Sequence, residues 1–142
     1  MRKIAVLHTS FVFVKVEPVF KDLFRDLLPD VSIIDFVDSD VLATVRREGR
    51  ISPDSEGRMV HLAQAAELAG VDLIFPACSS LGPAIHRARE AVTLPIVQPD
   101  DAIARTPAHP GPPIAATPPL PTPPRPPAPL VLASRARRTA PL

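Results

Sequence analysis

Cysteine is almost absent from this chain, which has one among its 142 residues. A single cysteine cannot form an intrachain disulfide, so the disulfide-stapled secreted domains are excluded and a reducing, cytoplasmic location is favoured. No apolar run approaches the roughly 18 to 20 residues that a membrane-spanning helix needs, and the first residues are too polar for a signal peptide. We therefore expect no membrane partner.

Phosphate-binding and metal-binding motifs are also missing. No glycine-rich loop follows the first apolar run, and no Gly-Lys-Ser or Gly-Lys-Thr element occurs. None of the four histidines stands at a metal-ligand spacing from the cysteine or from a carboxylate, so we predict no metal site.

Charge and proline divide the chain into two unlike parts. Residues 107–142 contain 13 of the 20 prolines and four arginines, without an acidic or aromatic residue. By subtraction, residues 1–106 carry 12 basic and 15 acidic side chains, a net charge of 12 − 15 = −3. We predict an α/β domain over residues 1–106 and a disordered Pro/Ala/Arg-rich tail over 107–142. Nucleic-acid binding is not predicted, because the domain is acidic and the basic tail lacks interleaved aromatics.

The tail has two interpretations beyond simple disorder. The composition changes abruptly near Thr106, which suggests out-of-frame translation or a damaged gene end in a GC-rich bacterium. Alternatively, Pro121, Pro124 and Pro127 have PxxP spacing beside Arg125, as in a polyproline II interaction segment. General composition favours disorder without a partner over the recognition motif.

Short apolar runs alternate with amphipathic ones in the first part of the chain. The pattern predicts strands at 4–7, 31–37, 71–75 and 94–97. It predicts helices at 16–28, from 41 toward Gly49, from Pro53 to about Gly70, and at 82–91. Strands separated by helices indicate a parallel four-stranded sheet flanked by helices.

Ligands of such sheets bind beyond the carboxyl ends of the strands, which directs attention to the loops at 8–10, 38–40 and 77–82. Cys78 lies just after a predicted strand and before a predicted helix. A thiol at a helix N-terminus is favoured as thiolate, although a cysteine there can equally be a buried space-filler. Ser79, Ser80 and Gly82 favour function, since hydroxyls and free amides can hold a carboxylate.

Other polar residues of these loops have simpler interpretations. His8 ends the first strand and is either a general acid or substrate contact or, more commonly, a hydrogen-bonded loop histidine. Asp38 and Asp40 form a close carboxylate pair, for which helix capping is the better explanation.

Together these segments resemble the aspartate/glutamate racemase superfamily, which includes hydantoin racemases, maleate isomerases and arylmalonate decarboxylases. The match covers about residues 1–106. It consists of the segment from Ile4 to Ser10, the Val16-Glu17-Pro18 helix start, residues 31–39, the loop from Pro76 to Gly82, and Leu94 to Val97.

The resemblance implies a flavodoxin-like half of a two-domain fold and a cofactor-independent racemase that acts on a small carboxylate or amino-acid-like substrate. It implies that Cys78 is the acid/base and that Thr9, Ser10, Ser79 and Ser80 line the substrate site. Family members have a second half with a second cysteine, whereas this sequence has one cysteine. Racemisation by this chain alone is therefore expected to be absent or very weak, and association into a homo-oligomer through uncovered apolar surface is expected. The alternative is a non-catalytic half-domain with an interaction tail.

Overall fold

A computed structural model of the chain describes residues 1–16 and 19–101. The predicted tail at 107–142 and the Glu17-Pro18 part of the predicted helix start lie outside the described residues. The described part is an α/β domain with a parallel sheet and helices on both of its faces.

The elements follow one another in the alternating order expected. The strands are β1 (Arg2–His8), β2 (Val31–Val37) and β3 (Leu73–Pro76). The helices are α1 (Val19–Leu27), α2 (Val41–Glu48), α3 (Pro53–Leu68) and α4 (Gly82–Ala91). A short π-helical segment (Val12–Val16) precedes α1, and a 3₁₀ turn (Ser79–Leu81) precedes α4.

Three parallel strands in the order β2-β1-β3 make up the sheet of the described residues, so the predicted fourth strand is not confirmed. The predicted fourth strand is reduced to one parallel bridge between Ile74 and Ile96. Ile74 N donates to the Pro95 carbonyl, and Val97 N donates to the Ile74 carbonyl, both at 3.0 Å. Pro95 has no N–H of its own to extend this pairing, which explains why the segment does not form a longer ladder.

Alternate residues of β1 point to opposite faces of the sheet and enter two separate cores. Ala5 and Leu7 join the larger core, which α2, α3 and α4 cover. Ile4 and Val6 join a smaller core with phenylalanines from α1 and β3. This period-two division is what a sheet covered on both faces requires.

Local signals fix the helix ends. The Ser52 hydroxyl accepts from Ser55 N at 3.3 Å, and Pro53 occupies the first position of α3. α2 is followed by Gly49 at φ 67° and α3 by Gly70 at φ 68°, a left-handed conformation that glycine adopts without strain.

Candidate functional site

The three loops identified from the sequence lie side by side where the parallel strands have their carboxyl ends, which we call the carboxyl edge of the sheet. They are the β1 loop (8–10), the β2 loop (38–40) and the cysteine loop (77–82). The Leu7 carbonyl of β1 accepts from Ala77 N at 2.9 Å, which attaches the cysteine loop to the end of β1. The His8 carbonyl accepts from Asp38 N at 2.9 Å, which attaches the β2 loop on the other side. Backbone hydrogen bonds thus hold the β1 loop between the two others.

Cys78 is a free, half-buried thiol in this edge. Its backbone is extended (φ −135°, ψ 114°), and it is the residue before the 3₁₀ turn, with no side-chain capping hydrogen bond. Its side chain packs against the larger core. α4 begins at Gly82, as predicted, but the three-residue turn separates Cys78 from its N-terminus.

The serines after Cys78 lie within the 3₁₀ turn, where both are half-buried. Gly82 N donates to the Ser79 carbonyl, so this amide is not free for a ligand. The expected cradle of hydroxyls and free amides therefore lacks the Gly82 amide. The hydroxyls of Ser79 and Ser80 remain as its candidate contacts.

The β1 loop contributes two hydroxyl residues of different accessibility. Thr9 is buried, with 4% of its surface exposed. Ser10 is half-buried, and its Oγ accepts from Val12 N at 3.4 Å, which supports the start of the π-helical segment. Ser10 is therefore the more accessible of the two to a ligand at the edge.

A hydrogen bond between two side chains that the sequence did not reveal lies directly beneath this loop. His8 is buried at 3% exposure, and its Nε2 lies 2.9 Å from Asp35 Oδ1 of β2. The second ring nitrogen, Nδ1, is buried and has no hydrogen-bond partner in the part of the chain that the structure describes. Asp35 faces Val6 across the strands, so the contact to His8 runs diagonally along one face of the sheet. Only the strand register reveals this pairing.

Asp38 caps α2, as the sequence indicated, and also binds an arginine that was not predicted. Its Oδ1 accepts from Asp40 N and Val41 N, each at 3.1 Å. Arg58 of α3 donates to both Asp38 oxygens, at 2.7 and 2.5 Å, and to Asp40 at 3.3 Å. Burial of Asp38 disfavours its charged form. Hydrogen bonds from Arg58 and the two backbone N–H groups outweigh burial, so the pKa of Asp38 is lowered.

The pKa of a second carboxylate at this edge is shifted in the opposite direction from that of Asp38. Asp100 follows the Ile74–Ile96 bridge, so it lies on the carboxyl side of the parallel strands. Burial, together with the charge of neighbouring Asp101, raises the pKa of Asp100. The Asp101 carboxylate itself accepts from Arg89 at 2.7 Å. The sequence analysis did not identify Asp100, because its neighbours suggest only a helix start.

Within residues 1–16 and 19–101, no group of three His, Cys, Asp or Glu side chains is placed to hold a metal ion. No helix of this part of the chain is long and apolar enough to cross a membrane. The sequence matches no protein-family model, and no curated protein matches it significantly.

Proposed function

We propose that this domain carries out cofactor-independent acid/base chemistry at the α-carbon of a small carboxylate, as in the aspartate/glutamate racemase superfamily. The proposal includes a flavodoxin-like half of that fold and a cytoplasmic, reducing location in which Cys78 remains a thiol. One observation carries it. The half-buried free thiol of Cys78 is held beside the β1 loop, at the carboxyl edge of a parallel sheet, by the hydrogen bond from Ala77 N to the Leu7 carbonyl.

The proposed substrate contacts follow from the polar groups around this edge. Ser10, Ser79 and Ser80 present hydroxyls that can donate to the substrate carboxylate, and Thr9 supports the loop from a buried position. Removal of an α-proton places charge on the carboxylate oxygens as an enediolate forms. Hydroxyl donors already oriented toward those oxygens stabilise that charge.

One sulfur atom can both remove the α-proton and return a proton to the same carbon. The Cys78 thiolate takes the α-proton, the electron pair of the broken C–H bond moves into the enediolate, and the resulting thiol returns a proton to the same face of the carbon. Since the sequence has one cysteine, a single chain has no thiol on the opposite face. We therefore propose exchange of the α-proton with retention of configuration, and very weak racemisation.

Deuterium exchange tests this chemistry. The full chain is incubated in deuterated buffer with L- and D-aspartate, L- and D-glutamate, and a hydantoin, and the α-proton signal is followed by NMR. We expect one enantiomer of a substrate to lose its α-proton signal while its optical purity is kept. Cys78→Ala should abolish the exchange.

The matched control is Ser39→Ala, which removes an exposed hydroxyl from the β2 loop of the same edge. It should exchange at the rate of the unmodified chain, whereas Ser79→Ala and Ser80→Ala should weaken substrate binding. Lack of exchange with every substrate would contradict the enzyme and favour the non-catalytic domain. Exchange that persists in Cys78→Ala would remove Cys78 from the mechanism.

A further inference from the structure

The segments that follow the parallel strands at the carboxyl edge are acidic. Residues 8–10, 38–40, 77–82 and 98–101 contain no lysine or arginine, but they contain the aspartates Asp38, Asp40, Asp100 and Asp101. A charged ligand at this edge therefore meets carboxylates first. Its binding depends on which of these carboxylates already have a positively charged partner.

Arginines from two helices neutralise three of the four aspartates. Arg58 of α3 donates to both Asp38 and Asp40. Arg89 of α4 donates to Asp101 at 2.7 Å. Because both guanidinium groups already bind carboxylates of the domain, neither is an unoccupied partner for a second carboxylate on a substrate.

Asp100 differs from the other three aspartates. It is half-buried, and burial together with the charge of Asp101 raises its pKa. No cation or hydrogen-bond donor from residues 1–16 and 19–101 offsets these two effects. A positively charged nitrogen on a ligand would offset both of them, because an opposite charge favours the carboxylate.

The strand register places Asp100 at the same edge as the thiol. Ile74 of β3 and Ile96 form a parallel bridge, and adjacent strands of a sheet lie about 4.8 Å apart. Cys78 follows Ile74 by four residues, and Asp100 follows Ile96 by four residues. The loops that carry the thiol and this carboxylate therefore leave the sheet as neighbours.

Hydrogen bonds around Asp100 fix the turn that carries it. Asp101 N donates to the Gln98 carbonyl at 3.0 Å, and Gln98 N donates to the Asp101 carboxylate at 3.1 Å. The Gln98 residue is itself buried, at 4% exposure. Asp101 thus holds the turn in place, while the carboxylate of Asp100 serves no such contact. A carboxylate on a turn that is already ordered binds a ligand at a smaller entropic cost.

His8 also lacks a hydrogen-bond donor at this edge. Its Nε2 lies beside the Asp35 carboxylate, which accepts the bond, so the proton is assigned to Nε2 and Nδ1 is an acceptor. Over the described ranges, this buried Nδ1 has no partner. Asp100 and His8 together give the edge an excess of acceptors, which favours a ligand rich in N–H donors over one rich in carboxylates.

We propose that Asp100 binds the α-ammonium group of an amino-acid substrate whose side chain carries no charge. This inference rests on the proposed function, since it places the ligand beside Cys78. The substrate carboxylate contacts the hydroxyls of Ser79 and Ser80, and the ammonium donates to Asp100. A carboxylate on the substrate side chain has no unoccupied guanidinium to pair with and is repelled by Asp100.

Two comparisons between ligands of nearly equal size test the charge preference. L-Asparagine and L-aspartate differ by one charge, and succinamate is asparagine without its amino group. Isothermal titration uses the Cys78→Ala full chain, so that binding is measured without proton transfer. We expect L-asparagine to bind about fivefold more tightly than L-aspartate, and more tightly than succinamate.

Asp100→Asn in the same background removes the charge and keeps the size of the side chain. It should weaken L-asparagine binding by about tenfold and leave succinamate binding unchanged, because only the ammonium contact is lost. Asp30→Asn is the matched control, since Asp30 is an exposed aspartate before β2 at the opposite edge of the sheet. It should bind every ligand like its parent.

Two further measurements separate an ammonium contact from a structural role. Asp100→Asn should be no less stable in urea than its parent, because the folded state disfavours the charge that it removes. Carbon-13 NMR of the Asp100 carboxyl group should show that L-asparagine lowers the Asp100 pKa. Succinamate should not lower it.

The outcomes also distinguish this inference from the proposed chemistry. Binding of L-asparagine that depends on Asp100, without α-proton exchange in the unmodified chain, would support the ammonium site and contradict the acid/base proposal. Exchange that Cys78→Ala abolishes and Asp100→Asn leaves intact would support the chemistry and overturn the ammonium site.

Other results would also overturn the ammonium site. They are an absence of binding by all three ligands, and an equal loss of L-asparagine and succinamate binding in Asp100→Asn. A preference for L-aspartate that disappears in Lys15→Met would assign recognition to Lys15, whose Nζ lies 4.3 Å from the centre of the Phe11 ring.

Discussion

Arg58 and Asp38 join the third helix to the end of the second strand through a two-point ion pair. Arg58 Nε and Nη2 reach Asp38 Oδ2 and Oδ1 at 2.7 and 2.5 Å, across a separation of 20 residues. The Asp38 backbone N–H in turn donates to the His8 carbonyl. This relationship fixes the β2 loop to α3 on one side and to the β1 loop on the other.

Removing the guanidinium should therefore destabilise the domain. We expect Arg58→Met to lower the free energy of unfolding by about 1 kcal/mol, because charge-assisted hydrogen bonds to the partly buried Asp38 are lost. The expected loss of stability is small because the Arg58 side chain is 35% exposed and water screens its interaction with Asp38.

Urea denaturation of the full chain measures this change. Arg87→Met is the matched control, since it breaks a pair with Glu90 in which both side chains are more than 60% exposed. Its effect should stay within about 0.5 kcal/mol. Equal losses in the two variants would show that the Arg58 pair has no special role.

The lowered pKa of Asp38 predicts how the stability of the domain changes in acid. Since the folded state holds the Asp38 pKa below its unfolded value, the carboxylate contributes stability above the unfolded pKa, and this is lost as pH falls through the folded pKa. The stability difference between the unmodified chain and Asp38→Asn should therefore be widest near neutral pH and shrink in acid. Chemical denaturation at a series of pH values measures it.

The same experiment in an Arg58→Met background is its control. Arg58 is one source of the lowered pKa, so the pH dependence of the difference should become shallower there. An unchanged slope would assign the effect to the backbone donors alone.

Ser52 offers a prediction about the longest helix. Ser52→Ala removes the hydroxyl that accepts from Ser55 N and leaves the fully buried Ser55 hydroxyl without its 3.1 Å partner. We expect a loss of about 1 kcal/mol, with a range of about 0.5 to 2, in thermal or urea unfolding. Ser39→Ala, at an exposed serine, should be close to neutral. A loss as large in Ser39→Ala would argue against a cap-specific effect.

The sequence predicted those elements whose two ends carry chemical signals. β2 was confirmed with its predicted bounds, because Pro29-Asp30 precedes it and the capping Asp38 follows it. α4 was likewise confirmed from Gly82 to Ala91. The π-helical segment was not predicted, because its consecutive apolar residues show no helical period. The strand expected at 94–97 was reduced to a bridge, since apolar character alone did not account for the missing N–H of Pro95.

The location of the candidate site was predictable, but its internal contacts were not. Parallel strands bring their carboxyl ends to one edge, so the loops at Ser10 and Cys78 could be placed together from topology alone. The pairing of His8 with Asp35 depends on the register of β1 and β2, and the pairing of Asp38 with Arg58 depends on how α3 packs. Neither is visible in the local sequence around these residues.

The pair of His8 and Asp35 leads to a prediction about the loop above it. Asp35→Ala removes the hydrogen-bond partner of a buried imidazole whose other nitrogen, Nδ1, has none among residues 1–16 and 19–101. We expect a loss of about 1 to 3 kcal/mol, because an unsatisfied buried polar group costs more than the bond itself contributes.

Adding His8→Phe to Asp35→Ala should recover much of that loss, since the apolar ring needs no hydrogen bond at that position. Hydrogen exchange measures the local consequence: the Thr9 and Ser10 amides should exchange faster in Asp35→Ala and return toward the original rate in the double variant. Asp30→Ala, at an exposed aspartate of the turn before β2, is the control and should leave both amides unchanged. If the double variant is less stable than Asp35→Ala, the imidazole has a structural role that its hydrogen bond to Asp35 does not explain, and its Nδ1 becomes the group to examine.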